Sequence, residues 1–320
     1  MKMNNIVVAG AGVFGTAMAE RLAWNKNNKV VLHSIEEDVV ESINSCNKNL
    51  KYFPTRFLNK TITATSDFKV FEQADQIFLI IPSKAIVSFS KTIRQYIKDR
   101  EPLIINMSKG MSEDGAFLTE NIDFKNTASM KGPSFAIEVL NGFPTSFTFG
   151  GNKKDYLFVK NNLLPDTGIS LDYNKDIRAV ELSSILKNMY AIAIGLVSGR
   201  YGSANVDFLI LTKAINEIKN FMVLYGCSED VLFNYCGMGD LGLTALNDLS
   251  RNRTFGMLIG KGFVYDNTSS TVVEGYRTIK LFGELVREKN IEQDFPIVSA
   301  LYSLMYEDST VSDYLVEVLK

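Results

Sequence analysis

Along the first half of the chain, short continuous apolar runs alternate with stretches of helical spacing. Ile6–Ala9 and Lys29–Leu32 read as strands, and Thr16–Ala23 and about Asp38–Asn44 read as helices. Ile77–Ile81 is apolar throughout, as expected of a parallel strand buried on both faces, and it stops at Pro82-Ser83. Leu103–Asn106 repeats the pattern and stops at Ser108-Lys109-Gly110. Thr145–Phe149 is a further strand, and Gly168–Leu171 a weaker one. Strands interleaved with helices predict an α/β architecture with a doubly wound sheet. After about Arg178 the period changes. Val180–Leu196, Asn205–Leu224, Asp230–Tyr235, Asn252–Ile259, Val273–Lys289, Pro296–Tyr306 and Val311–Val318 all have helical spacing, so this half reads as all-α. The expected domains are residues 1–177 and 178–320, joined by a short turn near Asp172–Asp176 rather than by a Gly/Ser-rich or Pro-rich linker.

The first predicted strand runs straight into Gly10, Gly12 and Gly15, and a helix follows. This is the arrangement that cradles a dinucleotide pyrophosphate, and the first domain therefore reads as a Rossmann unit. The first glycine allows the tight turn, the second lets phosphate approach the backbone, and the third lets helix and strand pack closely. Free N–H groups at the helix start face the anion. The context of strand, glycines, helix and second strand favours this reading over an ordinary structural turn.

Length and composition narrow the class. A chain of 320 residues with 46% hydrophobic residues suits two sizeable cores. A formal net charge of −2 and the lack of a basic run speak against a nucleic-acid partner. The apolar N-terminal stretch is interrupted by its glycines and followed by Glu20-Arg21, so it reads as neither leader nor membrane span. Cys46, Cys227 and Cys236 are too widely spaced for a disulfide framework or a zinc site, which predicts no metal and a reduced, cytoplasmic setting. The single histidine, His33, falls at the end of the second strand, where it reads as an adenine neighbour or a surface residue. Proton transfer would then fall to Lys, Asp, Glu, Tyr or Cys.

Ligands on such sheets bind at the carboxyl ends of the strands, which singles out Pro82-Ser83 and Ser108-Lys109-Gly110. Lys109 is either a ligand contact or an ordinary surface lysine. Gly132-Pro133-Ser134 reads as a tight turn entering a helix, with Pro133 in its first turn. Lys187-Asn188 stands in apolar surroundings, where a lysine either snorkels to the surface or is held in a cleft. Asp240 lies in a glycine-flanked turn and would otherwise cap the next helix. Ser250-Arg251-Asn252 is either a phosphate site at a helix start or an N-cap beside an exposed arginine.

Taken in order, these residues resemble the bacterial NAD(P)-dependent glycerol-3-phosphate dehydrogenases over nearly the whole chain. The resemblance rests on Gly10–Ala17, Asn49–Pro54, Ile81-Pro82-Ser83, Ser108-Lys109-Gly110, Gly132–Ala136, Leu186-Lys187-Asn188, Gly239-Asp240-Leu241, Ser250-Arg251-Asn252 and Val273-Glu274-Gly275. It implies reversible hydride transfer between NAD(P)H and dihydroxyacetone phosphate, giving sn-glycerol 3-phosphate for phospholipid synthesis. Lys187 matches the family's general acid/base, Lys109 a lysine touching substrate and cofactor, and Asp240 a substrate-contacting acid. Gly132, Ser134, Ser250, Arg251 and Asn252 match substrate positions. Val13, Phe14, Ala136, Arg251, Val272 and Glu274 match cofactor contacts beside Gly10, Gly12, Gly15 and Pro82. A homodimer is plausible from the family alone.

Some positions depart from the family pattern. Ile35 stands where many members carry Arg or His, and Glu36, Glu37 and Asp38 follow, with no nearby cation expected. An acidic cluster there repels a 2′-phosphate, which predicts NADH over NADPH. Asp207 replaces a usual basic residue, and Lys213-Ala214 the usual Arg-Gly. Two other functions fit parts of the pattern: a ketopantoate-reductase-like or opine-dehydrogenase-like enzyme, and a non-catalytic NAD(P)-binding redox sensor. Ser250-Arg251-Asn252 argues for a phosphorylated substrate, and retention of both lysines, Asp240 and Arg251 argues against a sensor.

Overall fold

Eight strands form one sheet in the computed structural model, which describes residues 3–112, 115–263 and 274–320. The strands and helices of the first half are β1 (Asn4–Ala9), α1 (Val13–Leu22), β2 (Asn28–His33), α2 (Glu37–Cys46), β3 (Thr63–Thr65), β4 (Gln76–Leu79), α3 (Ser83–Ile97), β5 (Leu103–Asn106), β6 (Thr127–Lys131), α4 (Ala136–Leu140), β7 (Thr145–Gly150), α5 (Lys153–Phe158) and β8 (Ile169–Asn174). Their order across the sheet is β3-β2-β1-β4-β5-β6-β7-β8. All neighbours are parallel except β6 and β7. Period-two alternation divides the central strands between two cores: Ile6, Val8, Phe78 and Ile105 pack on one side, and Val7, Ala9, Ile77, Leu79 and Ile104 on the other. This is why those strands read as unbroken apolar runs.

The chain divides into two compact units, Met1–Glu181 and Leu182–Lys320. The second unit contains only helices among its described residues: the remainder of α6 (Ile177–Tyr201), then α7 (Ala204–Leu224), α8 (Asp240–Leu246), α9 (Arg251–Gly260), α10 (Glu274–Glu288), α11 (Pro296–Tyr306) and α12 (Val311–Leu319). By length and composition α6 is apolar enough to cross a membrane, but that window is wholly buried in the protein and serves as a core helix. It meets α9 backbone to backbone. A Cβ at Gly195 would lie 2.2 Å from Arg253 O, one at Gly199 2.4 Å from Met257 O, and one at Gly256 2.1 Å from Ile192 O. Beneath this seam, Arg253 is buried and paired with Asp207, and it donates to Ala245 O and Ser198 Oγ. The acid at position 207 therefore balances a buried guanidinium.

Several expected elements differ. Strand β4 ends at Leu79, so Ile80 and Ile81 already belong to the loop. Residues 130–136 do not form only a turn, because β6 runs through Lys131. Helix α4 starts at Ala136, which leaves Pro133 outside it. The turn expected at Asp172–Asp176 is shorter: β8 continues to Asn174, and Asp176 Oδ1 accepts Ala179 N at 3.0 Å at the start of α6. The Asp230–Tyr235 helix is a 3-10 segment, Glu229–Phe233. The turn around Asp240 opens a true helix, α8. Neither β3, of only three residues, nor β6 stood out from its surroundings in the sequence.

Candidate active site

The glycine loop is built to leave room. Gly10 has φ +108, and a Cβ there would meet Ile80 O at 2.3 Å, so only glycine fits. A Cβ at Gly15 would lie 1.8 Å from Gly10 O, which brings α1 hard against the loop. At Gly12 nothing lies within 4 Å. Gly12 is also the N-cap of α1, where no side chain caps the helix and no acid sits in the first turn. Space and unclaimed N–H groups thus coincide where a pyrophosphate needs them, and the loop fits a dinucleotide. Val13 is exposed and Phe14 half-buried beside it.

Asn49 holds this loop. It is fully buried, and its Nδ2 donates to Ala11 O and to Thr16 Oγ1, both at 2.8 Å. The same segment reaches the end of β2. Lys51 forms an ion pair with Glu36, and Tyr52 OH donates to Glu36 Oε2 at 2.9 Å. Lys51, then Tyr52, hold the Glu36 carboxyl below the usual carboxylate range despite some desolvation. The expectation of no cation near the acidic cluster is therefore corrected: folding brings Lys51 to it from 15 residues away. Ile35 is 83% exposed. His33 is not a surface residue. It is buried against Phe68, Phe71 and Phe89, and burial lowers its pKa.

At the carboxyl edge of the sheet, the loops after β4 and β5 are stitched together. Ser108 Oγ donates to Ile81 O at 2.6 Å and accepts Ile81 N at 3.2 Å. Gly110 has φ +104, and a Cβ on it would press on Ser83 at 3.1 Å. Pro82 is exposed, and Lys109 is half-buried between these anchors. Gly132 is packed where a Cβ would meet Ser146 O at 2.4 Å, and Ser134 Oγ donates to Gly132 O at 3.1 Å. Ala136 opens α4. Behind the edge, Glu181 is 2% exposed and accepts from Asn106 Nδ2 at 2.6 Å, Thr119 Oγ1 at 3.0 Å and Ser129 Oγ at 3.4 Å.

In the helical unit, Lys187 on α6 forms an ion pair with Asp240 at the start of α8, and the two side chains are only 1% and 3% exposed. The lysine does not snorkel. Thr244 Oγ1 donates to Asp240 Oδ1 at 3.5 Å. Next to it, Asn188 Nδ2 donates to Glu274 Oε2 at 3.0 Å, and Asn252 Nδ2 donates to Asn188 Oδ1 at 3.0 Å. Gly275 N completes the chain by donating to Asn252 Oδ1 at 3.1 Å, tying α6, α9 and α10 together. Ser250 is the N-cap of α9, with Oγ accepting Arg253 N at 3.3 Å, and Arg251 is exposed at the helix start. Val272 lies outside the described residues.

Each unit matches one half of a single enzyme family. Residues 5–157 match the N-terminal part of NAD-dependent glycerol-3-phosphate dehydrogenase, and residues 176–316 match its C-terminal part. A relative from Methanothermobacter thermautotrophicus named glycerol-3-phosphate dehydrogenase [NAD(P)+] is 31% identical, with 98% of this chain and 96% of the relative aligned. The chain belongs to the NAD-dependent glycerol-3-phosphate dehydrogenase family. A family member from Staphylococcus aureus is also 31% identical, over 99% of this chain and 98% of its own. The solved glycerol-3-phosphate dehydrogenase of Coxiella burnetii superposes with a TM-score of 0.87 at 27% identity, covering 99% of both chains.

Asn49, Asn106 and Glu181 in the first unit, and Asn188 in the second, hydrogen-bond around the candidate residues and are not among those proposed from the sequence. Asn49 and Asn188 stood inside quoted motifs, so their signal was present and unused.

Proposed function

We infer that this family member transfers a hydride reversibly between NAD(P)H and dihydroxyacetone phosphate, giving sn-glycerol 3-phosphate for phospholipid synthesis. The observation that carries the reading is the buried Lys187–Asp240 ion pair. When bound, the nicotinamide supplies the hydride to the ketone carbon or takes it back from the alcohol. The chain's residues handle the rest. Reduction puts negative charge on the substrate oxygen, and the Lys187 ammonium stabilises that charge and then donates its proton. In the reverse direction the neutral amine accepts the alcohol proton. Asp240 keeps the amine oriented, and burial excludes water that would compete for the proton. Arg251 offers a planar fork to the phosphate, and the N–H groups of α9 add to it. Lys109, Gly132, Ser134, Ser250 and Asn252 complete the substrate contacts. Gly10, Gly12, Gly15, Val13, Phe14, Pro82, Ala136 and Glu274 take the cofactor, which Lys109 and Arg251 also touch.

NADH is the preferred cofactor in this reading. Glu36, at the end of β2, suits a ribose 2′-hydroxyl, and Lys51 is already occupied by it. No disulfide joins Cys46, Cys227 or Cys236 among the described residues, which suits a reducing cytoplasm.

The test is oxidation of NADH, and separately of NADPH, on adding dihydroxyacetone phosphate, with unphosphorylated dihydroxyacetone as control. Phosphate-dependent oxidation is expected, faster with NADH. Lys187→Met should lower kcat by about 10²–10⁴-fold. A Lys187→Met enzyme with undiminished kcat overturns the assignment of the proton donor.

A further inference from the structure

The last residue of β6, Lys131, is a lysine with 4% exposure that none of the assignments above uses. Strand β5 pairs with β6 only as far as Asn106 opposite Ser129, and β6 continues for two more residues. Beyond that point the carbonyls leaving β5 have no parallel ladder to enter. Lys131 meets them. Its Nζ donates to Asn106 O at 3.1 Å and to Ser108 O at 2.5 Å. The Ser108 N–H donates to Asn106 Oδ1 at 3.0 Å, and its hydroxyl binds Ile81. One ammonium therefore fixes the backbone on both sides of Met107, and through Ser108 it also braces the loop bearing Pro82. Lys109 is the next residue, and Gly132 follows Lys131 directly.

We propose that Lys131 is a positioning residue whose buried ammonium clamps the exit of β5 and so sets the place of Lys109. A charged donor makes stronger hydrogen bonds to carbonyls than a neutral one, and a buried side chain has little freedom to let the loop wander. The kinetic consequence rests on the reading of Lys109 under Proposed function, whereas the structural consequence does not.

The experiment compares wild type, Lys131→Met and Lys131→Gln, the last retaining neutral donors. Hydrogen–deuterium exchange is followed over residues 103–112 and over the rest of the sheet, alongside kcat and KM for both substrates. The expected result is exchange at least about tenfold faster in that segment alone for Lys131→Met, with Lys131→Gln between it and wild type. The kcat of Lys131→Met should fall by roughly 10–100-fold, by more than either KM changes, because a misplaced contact is lost mainly in the transition state. Should Lys131→Met not fold, the same comparison is made with Lys131→Gln. Unchanged exchange in the segment, or faster exchange spread evenly over the sheet with wild-type kcat, overturns the proposal. A wild type that does not oxidise NADH with dihydroxyacetone phosphate overturns the reaction reading, and the exchange measurement still decides the clamp.

Discussion

Lys187 and Asp240 form their ion pair where almost no solvent reaches them. Removing one partner of such a pair leaves a buried charge uncompensated, at a cost of about 3–5 kcal/mol. A gentler probe, of the cofactor reading in the other unit, is the less buried Glu36. Glu36→Gln removes the carboxylate that engages Lys51 and frees a cation at the end of β2. The ratio of kcat/KM for NADPH to that for NADH is expected to rise by about tenfold, equivalent to about 1.4 kcal/mol. An unchanged ratio from the two steady-state measurements would mean that Glu36 does not face the ribose. At this scale the sequence was legible where chemistry interrupts a pattern, as with a lysine in an apolar helix. It was silent where a residue matters through a distant partner. Asn49 lies 38 positions from Ala11, and Asn106 lies 75 from Glu181.

Helix α11 shows how one element depends on another. Its N-cap, Phe295, offers no side-chain acceptor. The carboxylate of Glu217 on α7 takes that place, accepting Ile297 N at 2.5 Å and Val298 N at 3.2 Å, while Tyr190 OH from α6 donates to it at 3.0 Å. Burial pushes the Glu217 carboxyl up to about 7 from the usual 4.5, against the pull of those hydrogen bonds and of Lys213. A carboxyl that keeps its proton longer when folded stabilises the native state most below about pH 4.5 and loses that contribution as pH rises towards 7. The loss is roughly 3 kcal/mol by the usual conversion. Denaturant unfolding across this range should show the slope in wild type and its absence in Glu217→Gln. Periodicity predicted α11 from Pro296 to Tyr306 as observed, but it could not show that its cap comes from 80 positions away. Strand β3 escapes the pattern for a different reason: three residues are too few to show a period.

For the molecule as a whole, the sequence revealed the class of each half more readily than the arrangement within it. Apolar runs identify buried parallel strands, yet nothing in their period says that β1 sits between β2 and β4 or that β7 runs against β6. Neighbour order follows from crossover geometry, which individual runs do not encode. Nor did helical spacing reveal how closely α6 and α9 approach, since glycines in a helix read first as weaknesses. Gly256→Ala tests that approach. Its new methyl would sit 2.1 Å from Ile192 O, so overpacking of about 1–3 kcal/mol should outweigh the helical preference for alanine. Gly242→Ala on α8 meets nothing within 4 Å and should be neutral or stabilising by up to about 1 kcal/mol. Thermal unfolding of the two variants distinguishes them. Where peptide rests on peptide there are no rotamers to redistribute and no methylene to trade. The offset between the turn bearing Lys187 and the turn bearing Arg251 is thus machined rather than adjusted, like the fixed jaw of a caliper, and drift in the surrounding side chains leaves its setting untouched.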